Sequence, residues 1–408
     1  MAQNCSRNFN HLRPRLGGAA SRSKSLFESP APTPYPMPQR ELQPVVAGLG
    51  LNPRSTAGPS LHGAVGASPE RGRPWLSILV PVFNVADFLA DCLHSIWVQL
   101  RQGIEIVVLD DASTDSSAAI IAHMRPRFGG ALRLLRHPRN RGLAAARNSL
   151  LQSASGDYLW FVDADDMLAA GAIDSLRTIL DSATPDLLTC DFRIHRERFL
   201  LKHRLRGETH RRTFAGPARR LSTDLSTRVH GILLNGQLHA WSKIARRDVW
   251  SRVRFPEGRY FEDIAALPML LESSRSHLHV AEPWLVYRQR NGSILSSMNA
   301  DKIRDQLHAL CVLDATLCRR REQLDNNAIF ALRYFMLKSH ASLARRIAGL
   351  KPGEGAALAG LLRKSLREHF PDGLSAILGH YCRRGWWLRA WRTRASLRRL
   401  GSCEWWSL

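Results

Sequence analysis

The central part of this chain is predicted to be α/β, a mainly parallel sheet flanked by helices, followed by a helical C-terminal region. Three observations predict it. Four apolar, strand-like runs lie between Trp75 and Val162, helical periodicity fills each gap between them, and polar or acidic residues follow every run directly. Strands and helices alternating at this spacing are βαβ units, which bury a parallel sheet under helices on both faces.

The first run, Trp75 to Val80, ends at Pro81. Phe88, Leu89, Cys92, Leu93 and Ile96 then recur at three- and four-residue spacing and mark an amphipathic helix. Ile104 to Leu109 is a second strand, Ser116 to Met124 a second helix, and Leu132 to Leu135 a third strand. Gly142 to Ser153 is an Ala- and Leu-rich helix, and Tyr158 to Val162 a fourth strand. Residues 171–300 are mixed in pattern, and residues 301–350 are helical by their Leu, Ala and Ile periodicity. Residues 1–74 hold 11 of the 21 prolines with much Ser, Gly and Arg; such a segment buries too little apolar surface to offset its ordering entropy and is expected to be disordered. The expected organisation is therefore a basic tail (1–74), an α/β domain (75–300, its halves meeting near 168) and a basic helical region (301–408).

The 58 Lys and Arg against 35 Asp and Glu give a net charge of +23, concentrated outside the middle of the chain. That surplus admits nucleic acid, an anionic membrane face or a phosphorylated substrate as partner. Seven scattered cysteines form neither a disulfide framework nor a zinc pattern and suit a reducing compartment. No stretch approaches the ~18 apolar residues of a membrane span, and no secretory leader is evident. The expectation is a cytoplasmic protein, with peripheral attachment to a membrane left open.

The chemistry sits where ligands bind in open α/β sheets, beyond the carboxyl ends of the strands. Pro81-Val-Phe-Asn84, Asp110-Asp-Ala-Ser-Thr-Asp115, Asn140-Arg-Gly-Leu-Ala-Ala-Ala-Arg-Asn148 and Asp163-Ala-Asp-Asp166 follow the four strands in turn. The first turn has no glycine, which excludes a G-x-G-x-x-G dinucleotide site. A diphosphate would instead be held through a divalent cation on carboxylates. Asp163 and Asp165, two apart at a strand end, can both face one pocket, one reaching a ribose hydroxyl and the other a hard cation, Mn²⁺ or Mg²⁺.

These motifs, in this order and spacing, resemble the donor-binding half of family 2 glycosyltransferases, which have the GT-A (Rossmann-like) fold. The resemblance is close over residues 76–168 and weaker beyond. It departs at Ala112, where the family commonly has Gly, a difference that matters if φ is positive there. It implies an inverting sugar transferase with a nucleotide-diphosphate donor, often a UDP-sugar, acting in polysaccharide, exopolysaccharide or lipopolysaccharide synthesis on a carbohydrate or lipid-linked acceptor. Pro81, Phe83 and Asn84 would wall the nucleotide pocket, and Asp110 with Asp111 would meet the base side of the donor. Arg147 would lie near the diphosphate or sugar, and Asp163 and Asp165 would bind ribose and metal. Asp115 reads equally well as a helix-start carboxylate.

In the second half, Glu262-Asp263 resembles the pair that opens the acceptor-side helix in that family, with Asp263 as general base and Glu262 supporting the site. Trp241-Ser-Lys243 and Tyr287-Arg288-Gln-Arg290-Asn-Gly-Ser-Ile294 resemble two further landmarks, so Lys243, Arg288 or Arg290 could assist at the diphosphate. Two rivals are weighed against this reading. A nucleic-acid-binding protein would explain the charge and the Arg- and Trp-rich end; a nucleotidyltransferase of similar fold would use the metal and carboxylates without Glu262 and Asp263. Trp387, Leu388, Trp391 and Ala395 share one helical stripe among arginines, which reads as a membrane-surface element or equally as a helix packed by its tryptophans.

Overall fold

Parallel pairing among the first strands puts three motif-bearing turns at one sheet edge. In the computed structural model, which describes residues 72–196, 209–289 and 298–400, β1 (Leu76–Val82) lies between β2 (Ile104–Asp110) and β4 (Tyr158–Phe161), with β3 (Leu132–Arg136) outside β2. Val82 pairs with Asp110 and Leu79 with Phe161, all in parallel register. The turns after β1, β2 and β4 therefore open side by side. β1 and β4 are buried along their whole length and β2 nearly so, as strands covered by helices on both faces must be.

Three helices complete this half: α1 (Ala86–Trp97), α2 (Ser117–Met124) and α3 (Leu143–Ser153). Leu89, Cys92, Leu93 and Ile96 are the buried face of α1. In α3 the small Ala144, Ala145 and Ala146 are buried, which lets its backbone come close to the sheet and sends Arg147 into the interior. Gly142 caps α3 at φ +84°, a conformation that L side chains rarely adopt.

The other half of the sheet, where the sequence pattern is mixed, pairs in both directions. β8 (Lys243–Arg246) enters antiparallel between β4 and β6 (Leu187–Arg196), and β9 (His277–Gln289) runs parallel to β6. The short β5 (Met167–Leu168) and β7 (His210–Arg211) pair antiparallel with β9 and β6. Here a buried polar network interrupts the apolar runs. Thr189 Oγ1 lies 2.9 Å from His277 Nε2 and 3.1 Å from His279 Nδ1, and Asp191 accepts from the Thr213 amide at 2.7 Å.

The remaining helices support the second half: α4 (Ala172–Ser182), α5 (Leu225–Asn235), α6 (Arg247–Trp250) and α7 (Glu262–Ser273), followed by α8 (Ala300–Cys318), α9 (Asn326–Ile347), α10 (Pro352–His369), α11 (Ser375–Arg383) and α12 (Trp387–Arg398). α8 packs on α7, and α9 on α5. Asp305 of α8 accepts from the Tyr260 amide at 3.0 Å and pairs with Arg259 at 3.2 Å, bracing the turn before α7. Among the described residues no helix is long and apolar enough to cross a membrane, and Cys92, Cys190, Cys318 and Cys382 form no disulfide. Nearly all of residues 1–74 lies outside the described residues.

Ala112 sits at φ +60° in the turn after β2. A Cβ there crowds the following carbonyl, at a cost of about 1 kcal/mol that Gly does not incur. Ala112→Gly should therefore raise the unfolding free energy by up to ~1 kcal/mol, less whatever Gly loses in unfolded-state entropy. Urea denaturation measures it; a clear loss of stability with unchanged slope would show that this turn is not strained.

Candidate active site

One guanidinium organises the cleft. Arg147, 1% exposed, donates through Nη1 to Glu262 Oε1 at 2.8 Å and to Asp263 Oδ1 at 2.7 Å, and through Nη2 to Asp163 Oδ1 at 3.1 Å. Its Cζ lies 5.8 Å from the Phe161 ring centroid and 5.5 Å from that of Phe255, so two aromatic faces hold the cation in place. The carboxylate at the tip of β4 is thereby joined to the pair that opens α7, across about 100 residues of sequence. Glu262 and Asp263 occupy the first turn of α7, where the helix dipole favours negative charge. Phe261, just before them, is held at φ +61°.

Three carboxylates share that one cation. Burial, reinforced by Asp263, pushes the Glu262 carboxyl up to about 7. Burial also raises Asp163 to about 6; Arg147 opposes the rise, while Asp165 and Asp263 add to it. Arg147 itself is held firmly protonated, because the attraction of Asp263, Asp163 and Glu262 outweighs its burial.

Asp163, Asp165 and Asp166 bring carboxylate oxygens within 4.8 Å of one another. Asp166 is buried, accepts the Arg288 amide at 2.8 Å, and is raised well above the usual carboxylate range by burial and then by Asp163 and Asp165. The Arg288 side chain reaches Asp91 at 3.1 Å and lies over Phe88, its Cζ 5.0 Å from the ring centroid. Beneath the triad, the buried Cys92 thiol points at the Asp163 carbonyl at 3.7 Å, its pKa raised by burial and the neighbouring acids.

At the end of β1, Pro81 is buried within the strand, whereas Phe83 is 44% exposed. Asp110 accepts the Ser113 amide at 2.9 Å. Asn84, at φ +49°, accepts from the Thr114 amide at 2.8 Å. Asp115 accepts from the Ala86 and Ser117 amides, both at 2.9 Å, and so ties the start of α2 to the turn after β1.

Two expected donor contacts are engaged with the protein itself. Asp111 pairs with His137 Nδ1 at 2.6 Å and accepts the Arg141 and Gly142 amides at 2.9 and 2.8 Å, so its carboxylate fixes the loop entering α3 rather than facing the cleft. Lys243 Nζ donates to the His239 and Gln237 carbonyls at 2.7 and 3.3 Å and to Ser242 Oγ at 3.2 Å, which uses all three of its hydrogens. Burial lowers Lys243 to about 8. Arg290 and the Ser293-Ile294 pair lie outside the described residues.

Sequence reasoning missed Phe255 as a wall of the Arg147 site. It also missed that Asn148 ties α3 to the approach to α7, donating to the Phe255 carbonyl at 2.9 Å and accepting its amide at 3.0 Å. Asn148 had a signal, as the last residue of the Asn140–Asn148 motif; Phe255 had none.

The family model described as Glycosyl transferase family 2 matches residues 77–235. Those residues belong to glycosyl transferase family 2. The match spans β1 to the end of α5 and contains Arg147 and the acidic triad, while Glu262 and Asp263 lie beyond it. GlyA, a glycosyltransferase of Streptococcus pneumoniae serotype 4, is 27% identical over 221 residues, 54% of this chain and 31% of GlyA. The poly(ribitol-phosphate) beta-glucosyltransferase of Bacillus spizizenii is 34% identical over 100 residues, 24% of this chain and 16% of that protein. The chain thus spans less than a third of either curated relative. The family 2 domain and the helices after it also share their fold with S. aureus TarS 1–349, solved in complex with UDP-GlcNAc: TM-score 0.58 at 19% identity, covering 79% of this chain and 90% of that one. The fold is GT-A, and the chain carries a glycosyltransferase domain.

Replacing the shared cation strands buried negative charge. Arg147→Met should cost about 3 kcal/mol or more at pH 8. The loss should shrink towards pH 5, because carboxyls already raised to about 6 and 7 by burial then neutralise themselves by taking up protons. Denaturation at both pH values checks it; an equal loss at each would show that the guanidinium does not act by compensating charge.

Proposed function

We propose that this chain transfers a sugar, with inversion, from a nucleotide-diphosphate donor to an acceptor hydroxyl in the synthesis of a cell-surface polysaccharide. One observation carries the reading. The carboxylate expected at the donor and the pair expected at the acceptor converge on Arg147, so both faces of a displacement share one cleft. A uridine donor is supported by the UDP-GlcNAc held by TarS, and a polymer acceptor by the poly(ribitol-phosphate) specificity in the name of the Bacillus spizizenii relative.

Asp110 and Phe83 would receive the base, Asp110 by accepting a hydrogen bond and Phe83 by offering its exposed ring. Asp163 and Asp165 would hold Mn²⁺ or Mg²⁺, whose oxygen preference fits a set of clustered carboxylates. When bound, such an ion supplies Lewis-acid stabilisation of the charge growing on the departing diphosphate. Arg288, beside Asp166, adds a positive group to that side of the cleft.

The acceptor oxygen attacks the anomeric carbon as its proton passes to the Asp263 carboxylate. The bond from that carbon to the diphosphate oxygen breaks, and the nucleoside diphosphate leaves with the electron pair. Arg147 is a positioning residue here. Its bond to Asp263 Oδ1 fixes which oxygen faces the acceptor, and Glu262 shares the same donor atom.

Asp263→Asn should slow turnover by roughly 10²- to 10⁴-fold while donor binding persists; normal turnover would remove Asp263 as the base. Asp165→Ala should abolish Mn²⁺-dependent donor binding in calorimetric titration, and an unchanged isotherm would remove its metal role. Incubation with a panel of nucleotide sugars should release nucleoside diphosphate. Release of pyrophosphate would assign a nucleotidyltransferase instead.

A further inference from the structure

α12 turns three large apolar side chains away from the protein. Ala390, Thr393, Ser396 and Leu397 are its buried residues, and the helix packs on α9 and α11. Arg345 of α9 donates to Ser396 Oγ at 2.9 Å, which fixes the rotation of the helix. The outward side carries Trp387, Leu388 and Trp391, which are 66%, 56% and 65% exposed. A helix held only by its own packing would turn the tryptophans inward and the small polar residues out. Trp386, the residue just before, does pack inward, against Tyr334 and Tyr381, so inward packing of a tryptophan is possible at this end of the chain.

The charge around the stripe has one sign. Residues 373–400 contain seven arginines and no Asp or Glu. Arg392, Arg394 and Arg398 are exposed on α12 itself; at 100° per residue Arg392 and Arg394 flank the stripe, one on each side, and Arg398 lies in line with the tryptophans two turns further on. We infer that the outer face of α12 seats the protein on an anionic phospholipid surface, with Trp387, Leu388 and Trp391 entering the headgroup layer while the arginines meet lipid phosphates. Indole rings favour that layer because one edge is apolar and the N–H is polar, and basic residues add attraction to anionic lipid. A second copy of the chain fits poorly, since it would set arginines against arginines. Single-stranded nucleic acid is gripped in basic grooves with stacking platforms, whereas the outside of a helix is a convex ridge.

The test floats the full-length protein with vesicles of phosphatidylcholine alone or of a mixture rich in phosphatidylglycerol. Binding should favour the anionic vesicles by about tenfold or more and weaken with salt. Trp387→Ser/Trp391→Ser should lower it by about tenfold and blue-shifted tryptophan emission on vesicle addition should shrink. Arg392→Gln/Arg394→Gln/Arg398→Gln should abolish the preference for anionic lipid. All five side chains are exposed, so thermal unfolding and hydrolysis of a soluble nucleotide sugar should not change, which separates failure of this inference from failure of the transferase reading. Equal flotation with both vesicles, or flotation unaffected by the Trp pair, overturns the inference. So does a tryptophan variant that loses oligonucleotide binding or self-association while its vesicle binding is unchanged.

Discussion

The cleft depends on a single buried cation shared by three carboxylates. Without Arg147, the tip of β4 and the start of α7 would confront each other as like charges in a desolvated space, where repulsion is strong. With it, the end of β4 and the start of α7 are held together. The planar fork of a guanidinium suits the position, since its two terminal nitrogens reach three acceptors at fixed angles while its faces lie against Phe161 and Phe255. The fold delivers the cation by simple means. Gly142 starts α3, three alanines let the helix approach the sheet, and Asn148 ties the same helix to the stretch of chain leading to α7.

Strain gathers around this arrangement. Asn84, Ala112 and Phe261 are three of the four described non-glycine residues at positive φ, and each adjoins a turn that shapes the cleft. Residues are kept in such conformations where surrounding bonds over-determine them. Around Asn84 and Ala112 those bonds come from Thr114, Ser113 and Asp111, and beside Phe261 they come from the Asp305 contacts to the preceding turn.

The first half of the domain was legible because parallel strands covered on both faces read as unbroken apolar runs, and β1 to β4 fall within two residues of the expected positions. The acidic motifs were legible because they follow those runs directly. The second half resisted for physical reasons. β6 and β9 bury Thr189, Asp191, His277 and His279 in a hydrogen-bonded network that erases the apolar signature, and antiparallel β8 inserts between strands distant in sequence. Arg147 stood out within its motif, but its bonds to Glu262 and Asp263 join residues 115 and 116 positions apart, which no local spacing encodes. For Asp111 and Lys243, residue type alone does not reveal which hydrogen bonds the protein itself supplies to the side chain. In α12, periodicity identified the stripe and left its direction open.

The bracing of α7 by α8 bears on where this chain can be cut. Ile303, Leu307 and Leu310 are fully or nearly buried, and Asp305 on the same helix holds the turn that sets Glu262 and Asp263 in place. Ending the polypeptide near residue 300, where the sheet finishes, would uncover the apolar underside of α7 and release that turn. The smallest unit that keeps this site intact therefore extends past the last strand and takes in the helices that follow.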